Sequence, residues 1–516
     1  MKAITVDWWQ GNNRKVHFVG VGGSGMRGLA TLLSAAGWDV SGSDRQLPTS
    51  SRIVQACRGG IFWQPGESVP QNPQPSLWQE TSASRWLQRL LEVEALVYSP
   101  AVPEQHVERR WATARGIPTW SLPQVIGHLL QTRHGLGVAG THGKTTTSAM
   151  LASIFRFAGR YPSAWFGGEL RDTGESSWLG RGPEFVVECC EFSRSFWNYH
   201  LEAAIVLNLE HDHFDCYPDE ASHREAYAKF LQRVHATGFV LLPIREPSIS
   251  LLAEDCAARV LTWGWEQPAD WWAGDVRCQG WASRCRVFHR ETFAGELFLS
   301  LPGRYVLEQA LVAAACACEW GIPFRTVQAA LREFAGVKRR FECLGSWRGV
   351  TLVDDYAHHA SSLAVVLDTA RTLFGRRRLC CAFQPHQINR TLRLWEAWPA
   401  GLRQADRVWV LPVFAARETG SEAPAEVSQR LVRYLRSQGI DADQADSLDQ
   451  LQQVLDDELR PGDVLLTLGA GDIGQVQHAI TRRILRHPAA QRTASALHLA
   501  EGGGASTIPA HAAQCG

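Results

Sequence analysis

The chain carries no excess charge of either sign: Lys+Arg and Asp+Glu each number 52 in 516 residues. That balance removes the usual reason to expect a nucleic acid or an anionic membrane as partner. Long apolar runs are also missing. The most apolar stretch, Ala310 to Cys318, is too short to cross a bilayer, so no membrane insertion is expected. Met1 to Gln10 has no basic segment followed by an apolar core, and no secretory signal is read there. The 13 cysteines are odd in number and without repeated spacing, and no Cys-x-x-Cys occurs. Cys189-Cys190 and Cys380-Cys381 lie in apolar, strand-like runs, which suits buried free thiols and a cytoplasmic location. Tryptophan is plentiful at 21, but Trp263, Trp265, Trp271 and Trp272 have Glu266, Asp270 and Asp275 among them. A base-stacking platform wants cations there, so packing is the reading.

Two glycine-rich turns stand out. Gly137-Val138-Ala139 reads as a strand end; Gly140-Thr141-His142-Gly143 follows, and a helix opens with Lys144-Thr145-Thr146-Thr147. Glycines let backbone N–H groups approach phosphate oxygens, and a helix N-terminus favours anions. Lys144 suits the β/γ-phosphates of ATP and the Thr145 hydroxyl suits Mg²⁺. The run departs from a strict Walker A pattern, since Val138 stands six residues before the lysine. Upstream, Lys15 to Val19 reads as a strand, followed by Gly20-Val21-Gly22-Gly23-Ser24-Gly25 and an apolar helix through Met26, Leu29, Leu32 and Leu33. A second strand, Val40 to Asp44, ends in a carboxylate at ribose-binding spacing. The ligand of this turn stays open between NAD and a UDP-linked molecule.

Strand and helix patterns alternate over nearly the whole length, which predicts an α/β fold with largely parallel sheets. The length asks for roughly two to four domains. We read residues 1–130 as a Rossmann-like domain, 131–335 as a central P-loop-type ATPase α/β domain, 336–487 as a second Rossmann-like domain and 488–516 as a disordered tail. Gln64 to Gln79, rich in Pro, Gln and Ser, reads as loop. A monomer or weak homo-oligomer is expected.

Polar clusters follow several strands, where open parallel sheets bind ligands. In the central domain these are Glu188-Cys189-Cys190-Glu191 and Asn208-Leu209-Glu210-His211-Asp212-His213-Phe214-Asp215. Oxygen-preferring Mg²⁺ points to Thr145 and Glu191, with His213 as a further ligand or phosphate contact. Two histidines two residues apart make a loose zinc pattern, so zinc is not expected. The last domain offers Lys338-Arg339-Arg340, Asp354-Asp355-Tyr356-Ala357-His358-His359, Phe383-Gln384-Pro385-His386 with Arg390, and Gly469-Ala470-Gly471-Asp472. An arginine fork suits a carboxylate.

In this order the motifs resemble the Mur ligase family, from about Lys15 to about Val476. The residues that carry the resemblance are His17 to Met26, Ser41 to Asp44, Gly140 to Thr147, Asn208 with Asp212-His213 and Asp215, Gly336 to Glu342, Asp354 to His359, Phe383 to His386, Leu411 to Glu418 and Leu468 to Ile473. The resemblance implies three domains and domain closure around the reacting groups. It implies an ATP-dependent ligase of peptidoglycan precursor synthesis, joining L-alanine to the lactyl carboxylate of UDP-N-acetylmuramate through an acyl phosphate. The alternatives are a related ligase that adds a preformed peptide to the same sugar and a catalytically degenerate homologue that binds the UDP-sugar. It implies that Gly20, Gly22, Gly23, Ser24, Gly25 and Asp44 serve the UDP-sugar, that Gly140 to Thr146 with Arg340 and Asp355 serve the nucleotide, and that Lys144, Glu191 and His213 are catalytic. Thr145, Glu191 and His213 then serve the metal, and His358, His386 and Arg390 the substrate. The chain departs from the family pattern at Gly66-Glu67, at Ala360, at Val306 and Gln309 after Pro302-Gly303-Arg304, and at Glu188-Cys189-Cys190-Glu191-Phe192-Ser193, where relatives carry Glu-Ala-Asp-Glu-Ser-Asp.

Overall fold

The computed structural model describes residues 14–44, 57, 61–63, 89–266, 268–416, 418 and 422–476. Gln64 to Gln79, Gly66-Glu67 and the tail after 487 lie outside them. The described elements build three α/β sheets. The first comprises β1 Lys15–Val19, β2 Asp39–Asp44, β3 Ile61–Trp63, β4 Ala95–Tyr98 and β5 Thr119–Ser121, in the order β3-β2-β1-β4-β5. Its pairings are parallel throughout. The order reverses between β1 and β4, which opens a crevice beside the Gly20 turn. Val16, Phe18 and Val40 are fully buried, as double-sided burial of a parallel sheet requires.

The central sheet comprises β6 His134–Ala139, β7 Ser163–Trp165, β8 Ser177–Trp178, β9 Glu184–Glu188, β10 Leu201–Val206, β11 Val234–Pro243, β12 Arg259–Trp265, β13 Trp271–Gln279, β14 Ala282–His289 and β15 Thr292–Leu299. It runs β15-β14-β13-β12-β11-β10-β6-β9-β7-β8. The β6 strand lies between β10 and β9, parallel to both, so the turn after β6 sits at a switch point. The helix Arg304–Glu319 is buried along Ala310 to Ala317 and packs against the helix Lys144–Phe157. Thus the most apolar stretch is a core helix. No described helix is long and apolar enough to cross a membrane. Trp263, Trp265 and Trp271 are core residues, and Trp272 stacks on Phe288 at 4.1 Å.

The third sheet comprises β16 Glu342–Trp347, β17 Val350–Asp355, β18 Leu379–Phe383, β19 Arg407–Val410, β20 Ala442–Gln444 and β21 Val464–Leu468. Its order is β16-β17-β21-β18-β19-β20, with only the β16–β17 pair antiparallel. Cys380 and Cys381 lie inside β18 and are buried, as expected. Cys189 and Cys190 instead follow β9: the chain leaves the sheet after Glu188 and turns into the short 3-10 segment Phe192–Asn198. No disulfide joins any two of the described cysteines.

Apart from Gln279–Trp281, which group with the third sheet, the first two sheets belong to one compact unit reaching to Lys338, and the third sheet to another that runs on from Arg339. Within the first unit, small residues make the joint. A Cβ at Gly25 or Gly28 would lie 3.0 Å from the Trp165 ring. The Trp165 indole donates to the Gly25 carbonyl at 3.0 Å, and the Ser177 hydroxyl donates to that of Gly28 at 2.9 Å. Beneath the first sheet, His17 contacts Ser41 at 2.9 Å and Glu108 at 3.2 Å, while Ser43 donates to Glu108 at 2.7 Å. These groups are buried, so the network pins the β1–β2 register through desolvated polar contacts.

Candidate active site

The turn after β6 needs glycine twice. Gly140 has φ +136°, Gly143 has φ +84°, and a Cβ at Gly143 would lie 2.9 Å from the Gln309 amide nitrogen. The loop is tied to the chain after β10. The His142 N–H donates to Asn208 Oδ1 at 2.8 Å, the Thr141 hydroxyl donates to the Glu210 carbonyl at 2.8 Å, and the His142 ring meets the Glu210 carboxylate at 2.8 Å. Helix Lys144–Phe157 starts here without a side-chain cap. Its first N–H groups and its dipole therefore face the loop, as an anion site requires.

Lys144 contacts Glu191 at 2.9 Å and the Thr141 carbonyl at 3.2 Å. Burial works against the ammonium, but the neighbouring carboxylates, Glu191 foremost and then Glu188, outweigh it and hold its pKa above the ordinary lysine value. Burial raises Glu191, yet Lys144 and His213 pull its carboxyl below the usual range. Both groups stay charged at neutral pH. His213 reaches Glu191 at 3.6 Å from a left-handed backbone, φ +53°, which is a strained conformation for a non-glycine residue. Tyr217 steadies the same turn by donating to the Glu191 carbonyl at 2.6 Å.

Thr145 has a different partner from Lys144. Its hydroxyl donates to Glu188 at 2.9 Å, and the Gly167 N–H donates to the same carboxylate oxygen at 2.7 Å. The structure thus gathers Lys144, Glu191 and His213 together and couples Thr145 to Glu188. Glu188 is a carboxylate that spacing did not single out, because the β6–β9–β7 pairing creates its contacts. Asn208, named in the sequence only as part of a motif without a role, is placed by the β6–β10 pairing to accept the His142 N–H. Gln309, one of the departures from the family pattern, stands over Gly143.

In the first sheet, Asp44 at the end of β2 accepts the Gly22 N–H at 2.7 Å, and a Cβ on Gly22 would lie 2.8 Å from that carboxylate. Gly20 has φ +81° and donates to the Ser43 carbonyl at 2.8 Å. Gly23 precedes helix Ser24–Ala35, which also lacks a side-chain cap. The predicted turn and helix after β1 and the carboxylate at the end of β2 therefore meet at the same end of this parallel pair.

The last unit groups three more predicted residues. The His358 and His386 rings are 5.5 Å apart, and Arg390 meets His386 Nδ1 at 3.1 Å. Arg390 is buried. Asp355, at the end of β17, accepts the N–H groups of Phe341 and Ala357, each at 2.7 Å. Burial is the main cause that lifts its carboxyl above the ordinary range. The Arg340 guanidinium lies 4.9 Å over the Tyr356 ring. Arg339 pairs with Asp354 at 3.0 Å, and Lys338, in the preceding unit, with Glu169 at 2.9 Å.

The chain is similar to known proteins over most of its length. Residues 15–134 match the catalytic domain of the Mur ligase family, 138–317 the Mur ligase middle domain, and 339–471 the Mur ligase glutamate ligase domain. The UDP-N-acetylmuramate--L-alanine ligase of Anaeromyxobacter dehalogenans is 33% identical over 459 residues, 89% of this chain and 95% of that protein. The chain belongs to the Mur ligase family. The ligase of the same name from Acidithiobacillus ferrooxidans is 34% identical over 468 residues, 90% of this chain and 96% of its own length. A solved UDP-N-acetylmuramate-alanine ligase from Thermotoga maritima shares the fold with TM-score 0.75 at 24% identity, covering 92% of this chain and 99% of that one. Membership makes the chain a ligase and not an NAD-dependent oxidoreductase, a reading that also left Lys144 and its threonines unexplained.

Proposed function

We propose that this Mur ligase joins L-alanine to the lactyl carboxylate of UDP-N-acetylmuramate at the expense of ATP, one step of peptidoglycan precursor synthesis. The observation that carries the reading is the Lys144–Glu191–His213 group beside an uncapped helix N-terminus, in a chain whose relatives of that name cover nine-tenths of it. Phosphoryl transfer to a carboxylate must overcome repulsion between two anions, and positioned cations are what lowers that barrier. Lys144 supplies one cation at the loop. Carboxylate and hydroxyl oxygens of Glu191, Glu188 and Thr145, with His213, make a donor set that fits Mg²⁺, which adds charge neutralisation at the phosphates. The helix N-terminus holds phosphate oxygens, and Gly140 to Thr146 shape the cradle.

Once the acyl phosphate forms, the alanine amine attacks it and phosphate leaves. Arg390, braced by His386 and with His358 beside it, is suited to hold the amino-acid carboxylate. Arg340 and Asp355 are assigned to the nucleotide. Gly20 to Gly25 and Asp44 take the UDP moiety. Free thiols fit a cytoplasmic location, and a monomer or weak homo-oligomer is the working state.

The test is phosphate release from MgATP with UDP-N-acetylmuramate and, separately, L-Ala, L-Ser, Gly or a tripeptide, with the product weighed by mass spectrometry. Release that needs both the UDP-sugar and L-Ala, with the amide formed, is expected. Release with the tripeptide alone would move the chain to the peptide-adding sister reaction. Tight UDP-sugar binding without any release would leave a binding protein and overturn the ligase reading.

A further inference from the structure

Parallel sheets covered on both faces normally turn apolar side chains to each layer. The first sheet breaks that rule on one face. His17 on β1 and Ser41 and Ser43 on β2 are wholly buried, and helix Val107–Ala114 sets the Glu108 carboxylate, 1% exposed, against them. His17 Nε2 meets one Glu108 oxygen at 3.2 Å, and the Ser43 hydroxyl donates to the other at 2.7 Å. A buried carboxylate needs partners to offset its lost hydration, and apolar side chains of similar volume often stabilise a core as well or better. Stability alone gives no reason for Glu108.

What Glu108 holds is the end of two strands. His17 stands just before the Gly20 turn, and Ser43 just before Asp44. Ser43 grips the turn with its backbone: its carbonyl accepts the Gly20 N–H at 2.8 Å and the Val21 N–H at 3.1 Å. Its successor, Asp44, accepts the Gly22 N–H at 2.7 Å. On the other side of Ser43, a Cβ at Gly42 would lie 2.8 Å from the Val21 side chain, so β2 and the turn are closely seated. Any shift of Ser43 therefore moves both the Asp44 carboxylate and the turn amides. We propose that Glu108 is a positioning residue for the UDP-sugar: acting through Ser43, it fixes the end of β2 so that Asp44 and the Gly20 turn are set before the ligand arrives. The inference rests on the assignment of the UDP moiety to this turn. Order present before binding is order that binding need not create, so it appears as affinity. Ser41 provides a control within the same strand. It is as buried as Ser43, but its hydroxyl contacts His17 at 2.9 Å and the Val16 carbonyl at 3.3 Å, which braces the middle of the β1–β2 pair.

The experiment uses the full-length chain and two readouts. Amide hydrogen exchange of the Gly20–Gly23 peptide is followed without ligand, and the affinities for UDP-N-acetylmuramate and MgATP are measured by calorimetry. In Ser43→Ala the turn amides should exchange about ten-fold faster, because their opening is local. UDP-sugar affinity should fall roughly five- to ten-fold, with MgATP affinity and kcat at saturating UDP-sugar unchanged. Ser41→Ala should stay within about two-fold of the wild type in both readouts. Ser43→Ala/Asp44→Ala should bind the UDP-sugar within about two-fold of Asp44→Ala alone, since one effect runs through the other. Glu108→Leu should match Ser43→Ala; should it fail to fold, the two serine variants decide. Wild-type exchange and affinity in Ser43→Ala, equal effects of the two serines, or losses that multiply in the double variant overturn the proposal. A wild-type chain that binds no UDP-sugar, yet shows the exchange difference, would overturn the ligand assignment and leave the tether standing.

Discussion

The two glycine-rich turns start from the same design and end in opposite electrostatics. Each follows a central parallel strand, each opens a helix without a side-chain cap, and each contains a left-handed glycine. The Gly20 turn is closed by a carboxylate, Asp44 on the Gly22 N–H. The Gly140 turn is closed by an ammonium, Lys144 on Glu191. Backbone shape alone therefore does not say what a glycine turn binds. The charge held against it separates them: on the proposed reading, a carboxylate suits hydroxyls beside a diphosphate and an ammonium suits a triphosphate.

The comparison breaks most visibly at Lys144. Lys144→Ala is expected to lower kcat by roughly 1000-fold or more, while UDP-sugar affinity measured by calorimetry changes little. A parallel loss of UDP-sugar binding would mean that the two turns are not independent. Since removal of one partner strands a buried Glu191, at a cost of about 3–5 kcal/mol, Lys144→Ala/Glu191→Gln is the control for folding. Next comes Gly143→Ala. Its φ of +84° and the 2.9 Å approach to Gln309 predict a fall in ATP affinity of roughly 10–100-fold, about 1.4–2.7 kcal/mol. Asp44→Ala should weaken the UDP-sugar by roughly 10-fold, about 1.4 kcal/mol, and leave ATP affinity alone. Equal losses for both ligands would contradict the division of labour.

Acid offers a gentler probe. Lys144 and His213 hold the Glu191 carboxyl below its ordinary value, so the stabilisation is fully present above that value, about 4.3, and is lost as pH falls through the depressed one. Melting curves between pH 7 and 3 should therefore slope less steeply in Glu191→Gln; an identical slope would deny the pair its role. The smallest effect belongs to Gly23. It has φ −64°, and an added Cβ would meet only the Gly20 carbonyl, at 3.6 Å. Gly23→Ala should change stability by less than about 0.5 kcal/mol, in contrast with Gly143→Ala, and a large loss would show that glycine is needed there for ligand approach.

Much of this was readable in the chain before folding. Strand, turn and helix around both loops follow local rules, because glycine, β-branched runs and apolar helix faces act over a few residues. Ala95–Tyr98 and Leu379–Phe383 are strands to the residue. Strand-end clusters were legible too, since parallel sheets expose their carboxyl ends on one side. Partner choice was not. Glu188 meets Thr145 only because β9 lies beside β6, and Glu191 meets His213 only because two separate strand ends converge. The Trp165 contact with Gly25 spans 140 positions, and no local pattern announces it.

That last contact has a consequence for building chimaeras. Transplanting the first sheet from another member of the family means transplanting a socket as well: two small residues one helical turn apart and a carbonyl aimed at an indole. A donor with alanine or serine at those positions would meet the Trp165 ring at 3.0 Å and be pushed off its seat. Recombination breakpoints that keep Gly25, Gly28, Trp165 and Ser177 from one parent should therefore yield folded hybrids, whereas cuts through this set divide a lock from its key.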